Sequence, residues 1–296
     1  MKAANKLENN LYRQLRLKIS KSLPDKLYLY LWYKKVTGEK LNLSNPQTFN
    51  EKIQWLKLYD RNPLYTKLVD KYEVRKYIKQ KLGEQYLIPL VGGAWNSVDE
   101  INFSNLPDQF VLKCTHDSGS VIICKNKNSF NIEAAKKKLK AAMDINIYYI
   151  GREWAYKDVP PRIIAEKYMT DESGDDLKDY KIYAFDGVPK VIQVDFDRFK
   201  GKHRHNYYTT DWKYRDVQVL CPSDPLKKIE RPKKLEEMLR LSSELSKGIP
   251  QVRTDFYYVN GQIYFGELTF YSNNGIAKFA QKDFAYELGN YINLPR

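Results

Sequence analysis

The chain of 296 residues carries 50 Lys and Arg against 36 Asp and Glu, which gives a formal net charge of +14 at pH 7. Its 43% hydrophobic and 14% aromatic content argues against a disordered chain, and no apolar run approaches the roughly 18 residues that span a bilayer. The charge favours an anionic partner (a nucleotide, an anionic glycan, a nucleic acid or an acidic membrane surface) and does not choose among them.

The N-terminal sequence, MKAANKLENNLYRQLRLKIS, lacks the apolar core and the small-residue cleavage site of a signal peptide. We therefore expect a cytoplasmic protein. The three cysteines, Cys114, Cys124 and Cys221, are too few and too scattered to predict a disulfide framework or a zinc knuckle.

Residues 1–85 are predicted to be helical. LPDKLYLYLWYKKVTG is a basic, aromatic, amphipathic stretch that ends at a glycine, and PQTFNEKIQWLKLYD begins with a Thr48-x-x-Glu51 capping box. PLYTKLVDKYEVRKYIKQKLG predicts one helix from its proline to Gly83. We expect the first stretch to be a packing helix. The alternative is a helix lying on an acidic membrane surface, which would place the protein at the inner face of the membrane.

From Gln109 onwards, predicted strands and helices mix. QFVLKC, SVIIC and RIIAEKYM are short apolar strands, and NIEAAKKKLKAAM is a helix on which residues 136–138 form a solvated basic face. DYKIYAFDGVPKVIQVDFD is a hairpin that turns at Asp186-Gly187, and a polar loop, the helix PKKLEEMLRLSSELSKG, a second hairpin and a terminal helix follow. The order has no strict βαβ rhythm, which favours an α+β fold over a doubly wound sheet.

FVLKCTHDSGSVII is the first stretch that suggests chemistry. Lys113 lies in an apolar strand, where an ammonium group needs an anion, and Ser118-Gly119-Ser120 forms a small turn between two strands. Such a turn can bring backbone N–H groups close to phosphate oxygens. The alternative is an edge-strand lysine followed by an ordinary hairpin.

RIIAEKYMTDESGDD is the second such stretch, because its strand runs into an acidic loop. Its end is a candidate hinge whose backbone would read the edge of an adenine, and it comprises Glu166, Lys167, Tyr168 and Met169. The alternative is a plain strand end.

DYKIYAFDG is the third. Asp179 and Lys181 are two residues apart, so they share one face of a strand. They form either an ion pair or a site at which one of them holds a phosphate.

RTDFYYVNGQIYFGELTF, the second hairpin, carries acidic groups on both arms of an Asn260-Gly261 turn. Asp255 and Glu267 would repel each other if they faced across the strands, and a divalent cation such as Mg²⁺ would remove that repulsion. Thr269 points the same way as Glu267, and Asn273 and Asn274 follow in a loop. The alternative is that Arg253 pairs with Asp255 and that Glu267 reaches solvent.

The register of this hairpin tests the metal hypothesis. A strict two-residue turn would place Thr254 opposite Glu267, which would then lie on the other face from Asp255. The metal site requires an odd-length loop or a bulge near Gly261, so that Asp255 pairs with Glu267.

In this order the four stretches resemble the ATP-grasp superfamily, over roughly residues 105–280. Four segments are similar in sequence to the TupA-like branch of this superfamily, which is named for teichuronic acid biosynthesis. They are PQTFNEKIQWLKLYDRNPLYTKLVDKYEVRKYI, FVLKCTHDSGS, DYKIYAFDG and GELTFYSNNG. The resemblance implies an α+β ATP-grasp fold in which two lobes sandwich ATP. It implies a helical segment at 1–85, a first lobe at 86–165 and a second lobe at 166–296.

The resemblance also implies roles for individual residues. Lys113 and the 118–120 turn would hold phosphates, residues 166–169 and Asp179 the rest of the nucleotide, and Asp255 and Glu267 the Mg²⁺. Arg253 and Lys181 would be catalytic. Thr269 replaces the asparagine that usually supplies a third metal oxygen. We therefore expect either that Asn273 or Asn274 contributes an oxygen or that the metal binds less tightly.

The implied activity is an ATP- and Mg²⁺-dependent carboxylate ligase that forms an acyl phosphate and serves bacterial cell-surface polysaccharide biosynthesis. The acceptor, an anionic saccharide or uronic acid, would meet the loop DFDRFKGKHRHNYYTTDW. Positive charge in this loop comes from Arg198, Lys202, His203, Arg204 and His205, beside the aromatic rings of Tyr207, Tyr208 and Trp212. The candidate binding residues are Arg198, His203, Arg204 and Trp212. His203-x-His205 lacks a third metal ligand in the sequence, so we expect two ordinary loop histidines.

Two other activities are alternatives. A glycosyltransferase would need an Asp-x-Asp motif, and Asp195-Phe196-Asp197 is the nearest candidate. A kinase-like transfer of phosphate to a saccharide is the second. We do not expect nucleic acid to be the partner, although the aromatic, basic loop would suit one.

Overall fold

The computed structural model describes residues 20–171, 177–197 and 203–295, which form two antiparallel sheets with helices. The four-stranded sheet has the order β1-β4-β2-β3, and the six-stranded sheet has the order β10-β9-β5-β6-β7-β8. The first contains β1 (Leu90–Trp95), β2 (Phe110–Cys114), β3 (Ile122–Cys124) and β4 (Ile163–Lys167). The second contains β5 (Asp179–Phe185), β6 (Val188–Phe196), β7 (Arg204–Tyr208), β8 (Tyr214–Arg215), β9 (Val252–Val259) and β10 (Gln262–Thr269). The predicted α+β class is confirmed.

Helices precede, separate and follow the strands. They are α1 (Asp25–Thr37), α2 (Phe49–Tyr59), α3 (Leu64–Val69), α4 (Val74–Lys81), α5 (Ile132–Met143), α6 (Tyr148–Gly151), α7 (Leu235–Ser246) and α8 (Lys282–Asn290). In the part of the chain that the structure describes, no helix has the length and apolar character needed to cross a membrane.

The predicted helix ends are set by local chemistry. α1 stops at Gly38, which has a left-handed backbone and donates its N–H to the carbonyl of Lys34. α2 begins with the predicted capping box, because the Thr48 hydroxyl accepts from the N–H of Glu51 while the Glu51 carboxylate accepts from the N–H of Thr48. Both stop and start signals were therefore readable from the sequence.

The single helix predicted up to Gly83 is wrong, because the segment forms two helices, α3 and α4. Asp70 separates them: its backbone is extended, and its Oδ1 accepts from the N–H groups of Tyr72 and Glu73 at 2.8 and 3.3 Å. This side-chain cap competes with the continuing helix for the backbone donors. The break matters because it positions Lys71 at the site described below.

The helices before β1 contribute to two buried clusters. Phe49 and Ile53 of α2 belong to the same buried cluster as Ile182 and Phe256 of the six-stranded sheet, whereas the four-stranded sheet buries a separate cluster. α1 packs through a smaller cluster that includes Tyr28, Leu29 and Tyr33. The expected packing role of α1 is thus visible, while the membrane contact stays a prediction.

Candidate active site

A cavity of about 540 Å³ lies between the two sheets. Several of its lining residues are those that the sequence predicted: Lys113, Gly119, Glu166, Lys167, Tyr168, Met169 and Asp179. The apolar side chains of Ile88, Val111, Ile123, Leu177 and Tyr257 complete much of the wall. A neighbouring, more open hollow of about 670 Å³ shares Lys125, Lys167 and Tyr168 but lacks Lys113 and Asp179. The first cavity is therefore the candidate site.

Lys113 and the 118–120 turn form one end of the cavity. The Lys113 Nζ lies 2.6 Å from Glu166 Oε2 on the adjacent strand β4, so the anion that this buried lysine needs is a carboxylate in this structure. Ser120 is buried, accepts from the N–H of Cys114 at 2.8 Å and donates to Asp117 Oδ1 at 2.7 Å. Ser120 therefore holds the turn in place, which leaves the exposed Ser118 and Gly119 for a ligand.

Gly119 fits the role of a close-approach residue. Its φ is +111°, a backbone conformation that side chains rarely adopt, and a Cβ built there would have no heavy atom within 4 Å. The space above the turn is therefore open, and the backbone rather than packing explains why glycine is required.

The candidate hinge lies where β4 leaves its sheet. The Lys167 N–H donates to the carbonyl of Pro89 at 2.9 Å, and the ladder with β2 ends at Lys167. Tyr168 and Met169 line the cavity beyond that ladder. Their backbone N–H and C=O groups lie outside the sheet ladder, so they can form hydrogen bonds with the edge of a planar ligand.

Lys181 lies at the centre of a buried acidic group. Its Nζ donates to Asp179 and, at 2.7 Å, to Asp255 Oδ2, and it lies 3.9 Å from Asp195 Oδ2. Burial lowers the pKa of Lys181, but Asp179 and Asp255 outweigh that effect and raise the pKa above its usual value. Lys181 is therefore a permanent positive charge at the cavity, and Asp179 and Lys181 form the predicted ion pair.

The predicted opposition of Asp255 and Glu267 is confirmed. The strands turn tightly at Asn260-Gly261, with Val259 opposite Gln262, but the register shifts between Phe265 and Glu267. The extra residue is Gly266, so that Glu267 pairs with Asp255. The bulge thus occurs at Gly266 rather than near Gly261 as expected. A Cβ at this position would lie 3.0 Å from the carbonyl oxygen of Asp255, which favours glycine.

The Arg253 guanidinium lies against Asp255 and near Glu267, where a divalent cation was predicted. Its Nε and one terminal nitrogen donate to both oxygens of Asp255 at 2.7 Å, and the same terminal nitrogen lies 3.6 Å from Glu267 Oε1. It also donates to the Thr269 hydroxyl at 3.1 Å. The alternative prediction, in which Arg253 pairs with Asp255 and Glu267 reaches solvent, therefore describes this structure. The Glu267 side chain is 37% exposed.

The charges around Glu267 are mainly positive. Burial raises the pKa of its carboxyl, but Lys71, Lys181, Arg253 and Lys113 together lower it to about 2. Glu267 is thus a stable anion whose surroundings attract further negative charge.

The carboxylates of Asp255 and Glu267 fit a magnesium ion that is bound together with phosphate groups. Asp255 and Glu267 offer carboxylate oxygens, the ligands that Mg²⁺ prefers, and Asp255 keeps one of about four lone-pair positions after its three hydrogen bonds. Asn273 follows β10 in a turn with a left-handed backbone. Asn274 does not fit the site, because its Oδ1 accepts from the buried Lys57.

Three cationic residues at the site were missed. Lys71 follows the break after α3: its N–H donates to the Thr115 carbonyl at 3.1 Å and its Nζ to the Asp117 carbonyl, next to the 118–120 turn. Lys125 and Lys138 line the cavity, and Lys138 donates to the Val121 carbonyl at 2.8 Å. Lys138 is exposed, as the predicted solvated face requires, and it lines the cavity in addition.

The predicted acceptor residues do not form one cluster. Arg198 and Lys202 lie outside the described residues. Arg204 lies on the opposite face of β7 from His203 and His205, with its Nε 3.9 Å from Asp224. The remaining assignments to the acceptor stay predictions.

The aromatic residues of the loop are packed rather than displayed. Tyr207 and Tyr208 are 1% and 5% exposed, so they offer no open face to a sugar. Trp212 stacks on Tyr208 at a ring distance of 4.4 Å, and its Nε1 donates to the Ile229 carbonyl. The expected platform is wrong for the two tyrosines because strand β7 directs both rings into buried surroundings.

Comparison with known proteins gives one family and several structures. The family described as TupA-like ATP-grasp matches residues 51–293. A search of curated proteins gives no match. Similar solved structures include the D-alanine–D-alanine ligase of Bacillus anthracis (19% identity, TM-score 0.38, 69% of this chain and 57% of that one). An L-amino acid ligase of Bacillus licheniformis is 14% identical with a TM-score of 0.44, over 77% of this chain and 50% of its own. The chain thus spans little more than half of these ligases.

Proposed function

The chain belongs to the TupA-like ATP-grasp family and has its α+β fold, and we propose that it is an ATP- and Mg²⁺-dependent carboxylate ligase. One observation carries the proposal. The cavity is lined by Lys113, Gly119, the 166–169 hinge and Asp179, and Lys181 links Asp179 to Asp255, the strand partner of Glu267. Together they would supply the nucleotide pocket and the metal site that phosphoryl transfer requires.

The cavity suits an adenine nucleotide in size and chemistry. Its volume falls in the range of about 300–1,000 Å³ that is typical of small-molecule sites. Apolar residues such as Val111 and Met169 would enclose the base, and the backbone at residues 166–169 would meet its polar edge. Lys113 and the Gly119 backbone would hold phosphate oxygens at the other end.

The carboxylates opposite each other would hold the metal. Asp255 and Glu267 would supply its oxygens, with Thr269 or Asn273 as further ligands, and the bound ion would neutralise charge on the terminal phosphates. Arg253 is fixed by two hydrogen bonds to Asp255 and faces Glu267, so its guanidinium is oriented before substrate arrives. This orientation avoids reorganisation during the reaction.

The proposed reaction has two steps. A carboxylate oxygen of the acceptor attacks the terminal phosphorus of ATP, the bond to the ADP oxygen breaks, and an acyl phosphate forms. A second nucleophile, an amine, then attacks the acyl carbon, phosphate leaves, and the amine releases a proton to water. Lys181 and Arg253 would offset the charge on the transferring oxygens, because both remain cationic at neutral pH.

The acceptor is proposed to be an anionic saccharide such as a uronic acid, within cell-surface polysaccharide biosynthesis. Two observations support an anionic acceptor: the net charge of +14 and the four cationic side chains that lower the pKa of Glu267. The family resemblance to teichuronic acid biosynthesis supports the saccharide.

ADP release from ATP and Mg²⁺, measured across a panel of uronic acids, neutral sugars and amines, tests the proposal. We expect release that depends on a carboxylate and increases when an amine is added. Release with neutral sugars alone would instead establish the kinase-like alternative. Thermal stabilisation by a nucleotide sugar, but not by ATP, would favour a glycosyltransferase.

A further inference from the structure

Two histidines and a cysteine meet beside the cavity, although the sequence offered no third ligand for the histidine pair. One ligand atom from each of His203, His205 and Cys221 can be chosen so that all three lie within 4.8 Å of one another. Among the described residues, no other separate group of three His, Cys, Asp or Glu side chains comes together in this way. The expectation of two ordinary loop histidines therefore needs revision.

Strand geometry brings the three side chains together. His203 and His205 are two residues apart and so lie on the same face of β7 and the residue before it. The segment after β8 returns to that strand: the His205 N–H donates to the Pro222 carbonyl at 3.2 Å. Leu220, with a φ of +63°, reverses the chain just before Cys221.

A carboxylate faces the same point. Asp195 of β6 is directly opposite His205 across the sheet. Its Oδ2 lies 3.3 Å from His203 Nε2, and its Oδ1 lies 3.5 Å from His205 Nε2. The side chains of Asp195 and His205 are 3% and 7% exposed, so the group is built into the protein rather than displayed on its surface.

The spacing of these atoms suits a small tetrahedral metal site. The Nε2 atoms of His203 and His205 are 3.2 Å apart, whereas Cys221 Sγ lies 3.7 Å from Nδ1, the other ring nitrogen of His203. Because one imidazole offers a single nitrogen to one ion, the three ligands share an ion only after a small rotation of the His203 ring. In a tetrahedral zinc site, metal bonds of about 2.0–2.3 Å separate neighbouring ligand atoms by about 3.3–3.6 Å. The partly exposed His203 ring has room to turn one nitrogen toward the centre.

We propose that His203, His205, Cys221 and Asp195 bind one Zn²⁺ ion per chain. Nitrogen, thiolate and carboxylate donors in this combination select zinc over the hard Mg²⁺ ion, which prefers oxygen alone. The site would fasten β7 to the segment around Cys221. Because Asp195 also lines the cavity, it would fix the wall of the nucleotide site on that side. The site is separate from the Asp255–Glu267 pair and does not rest on the proposed ligase activity.

The test uses the full-length chain stripped of metal with a chelator and then titrated with Zn²⁺ against a chromophoric competitor. We expect one ion per chain. Co²⁺ in its place should give the intense visible bands of a tetrahedral site and a thiolate-to-cobalt charge-transfer band. Failure to bind stoichiometric Zn²⁺, or a cobalt spectrum without the thiolate band, would overturn the proposal.

Matched variants locate the ion. Cys221→Ser should lower the Zn²⁺ affinity at least tenfold and remove the thiolate band, whereas Cys124→Ser, in the other sheet, should change neither. His203→Asn tests the site through a partly exposed residue and should lower the affinity while far-UV circular dichroism stays unchanged. Glu267→Gln should retain Zn²⁺ binding. Wild-type affinity in both Cys221→Ser and His203→Asn would refute the assignment.

Discussion

Glu267→Gln should separate the role of Glu267 in the proposed metal site from its contribution to stability. The Glu267 side chain is 37% exposed and its nearest cation, Arg253, is 3.6 Å away, so the ion pair resembles a surface pair worth about 0–1 kcal/mol. The substitution keeps the shape of the side chain and removes its charge. We therefore expect the free energy of unfolding to change by less than about 1 kcal/mol.

The effect on turnover should be much larger. A carboxylate that holds a metal at the transferring phosphates is expected to contribute a factor of at least about 100 to kcat, or about 2.7 kcal/mol in activation free energy. ADP release at saturating ATP and Mg²⁺ measures the rate, and urea denaturation measures the stability of the same sample.

Asp255→Asn is the contrasting variant. Asp255 is 2% exposed and bonds to both Lys181 and Arg253, so the loss of its charge leaves two buried cations short of a partner. Breaking such a buried pair costs about 3–5 kcal/mol. Wild-type turnover in Glu267→Gln, or an equal loss of stability in both variants, would refute this account of the site.

The remaining predictions concern the nucleotide end, the turn and the pH dependence. Lys113→Ala should raise the Kd for ATP about tenfold in a calorimetric titration, while Lys137→Ala serves as the control; unchanged affinity would make Lys113 a structural partner of Glu166 alone. Gly119→Ala should raise the KM for ATP and cost about 1 kcal/mol of stability, because its φ of +111° is strained for alanine; an unaffected KM would show that the turn does not contact nucleotide. Since the pKa of Glu267 is lowered from 4.5 to about 2, its contribution to stability is present above pH 4.5 and is lost as the pH falls toward 2. Because solvent screens the 37% exposed side chain, the stability difference between wild type and Glu267→Gln stays below about 1 kcal/mol at neutral pH, less than the pKa shift alone would imply. That difference should shrink in urea titrations between pH 4.5 and pH 2, and a difference that stays constant would contradict the shift.

The sequence predicted that Asp255 and Glu267 lie opposite each other, but not the position of the bulge that brings them there. Asn260-Gly261 has the composition of a tight turn, which the structure confirms, and that turn alone would have separated Asp255 from Glu267. Gly266 is the extra residue that restores the pairing. A glycine within a strand indicates a bulge only weakly, because the position of a bulge depends on the partner strand.

The sequence could not show which residues approach the site from elsewhere in the chain. Lys71 reaches the 118–120 turn because Asp70 ends a helix that periodicity alone would continue. Likewise, Cys221 meets His203 through a chain reversal at Leu220 that has no strong signal in the sequence. Tyr207 and Tyr208 were predicted to contact a sugar but are buried. Aromatic composition alone does not distinguish a sugar-binding surface from a hydrophobic core.

The most direct test of the central claim is the position of the metal in crystals grown with Mn²⁺ and a non-hydrolysable ATP analogue. We predict an anomalous peak bonded to carboxylate oxygens of both Asp255 and Glu267 and to the analogue's phosphates, with the adenine against residues 166–169. A nucleotide bound outside the cavity, or a manganese peak bonded to neither carboxylate, would contradict the account.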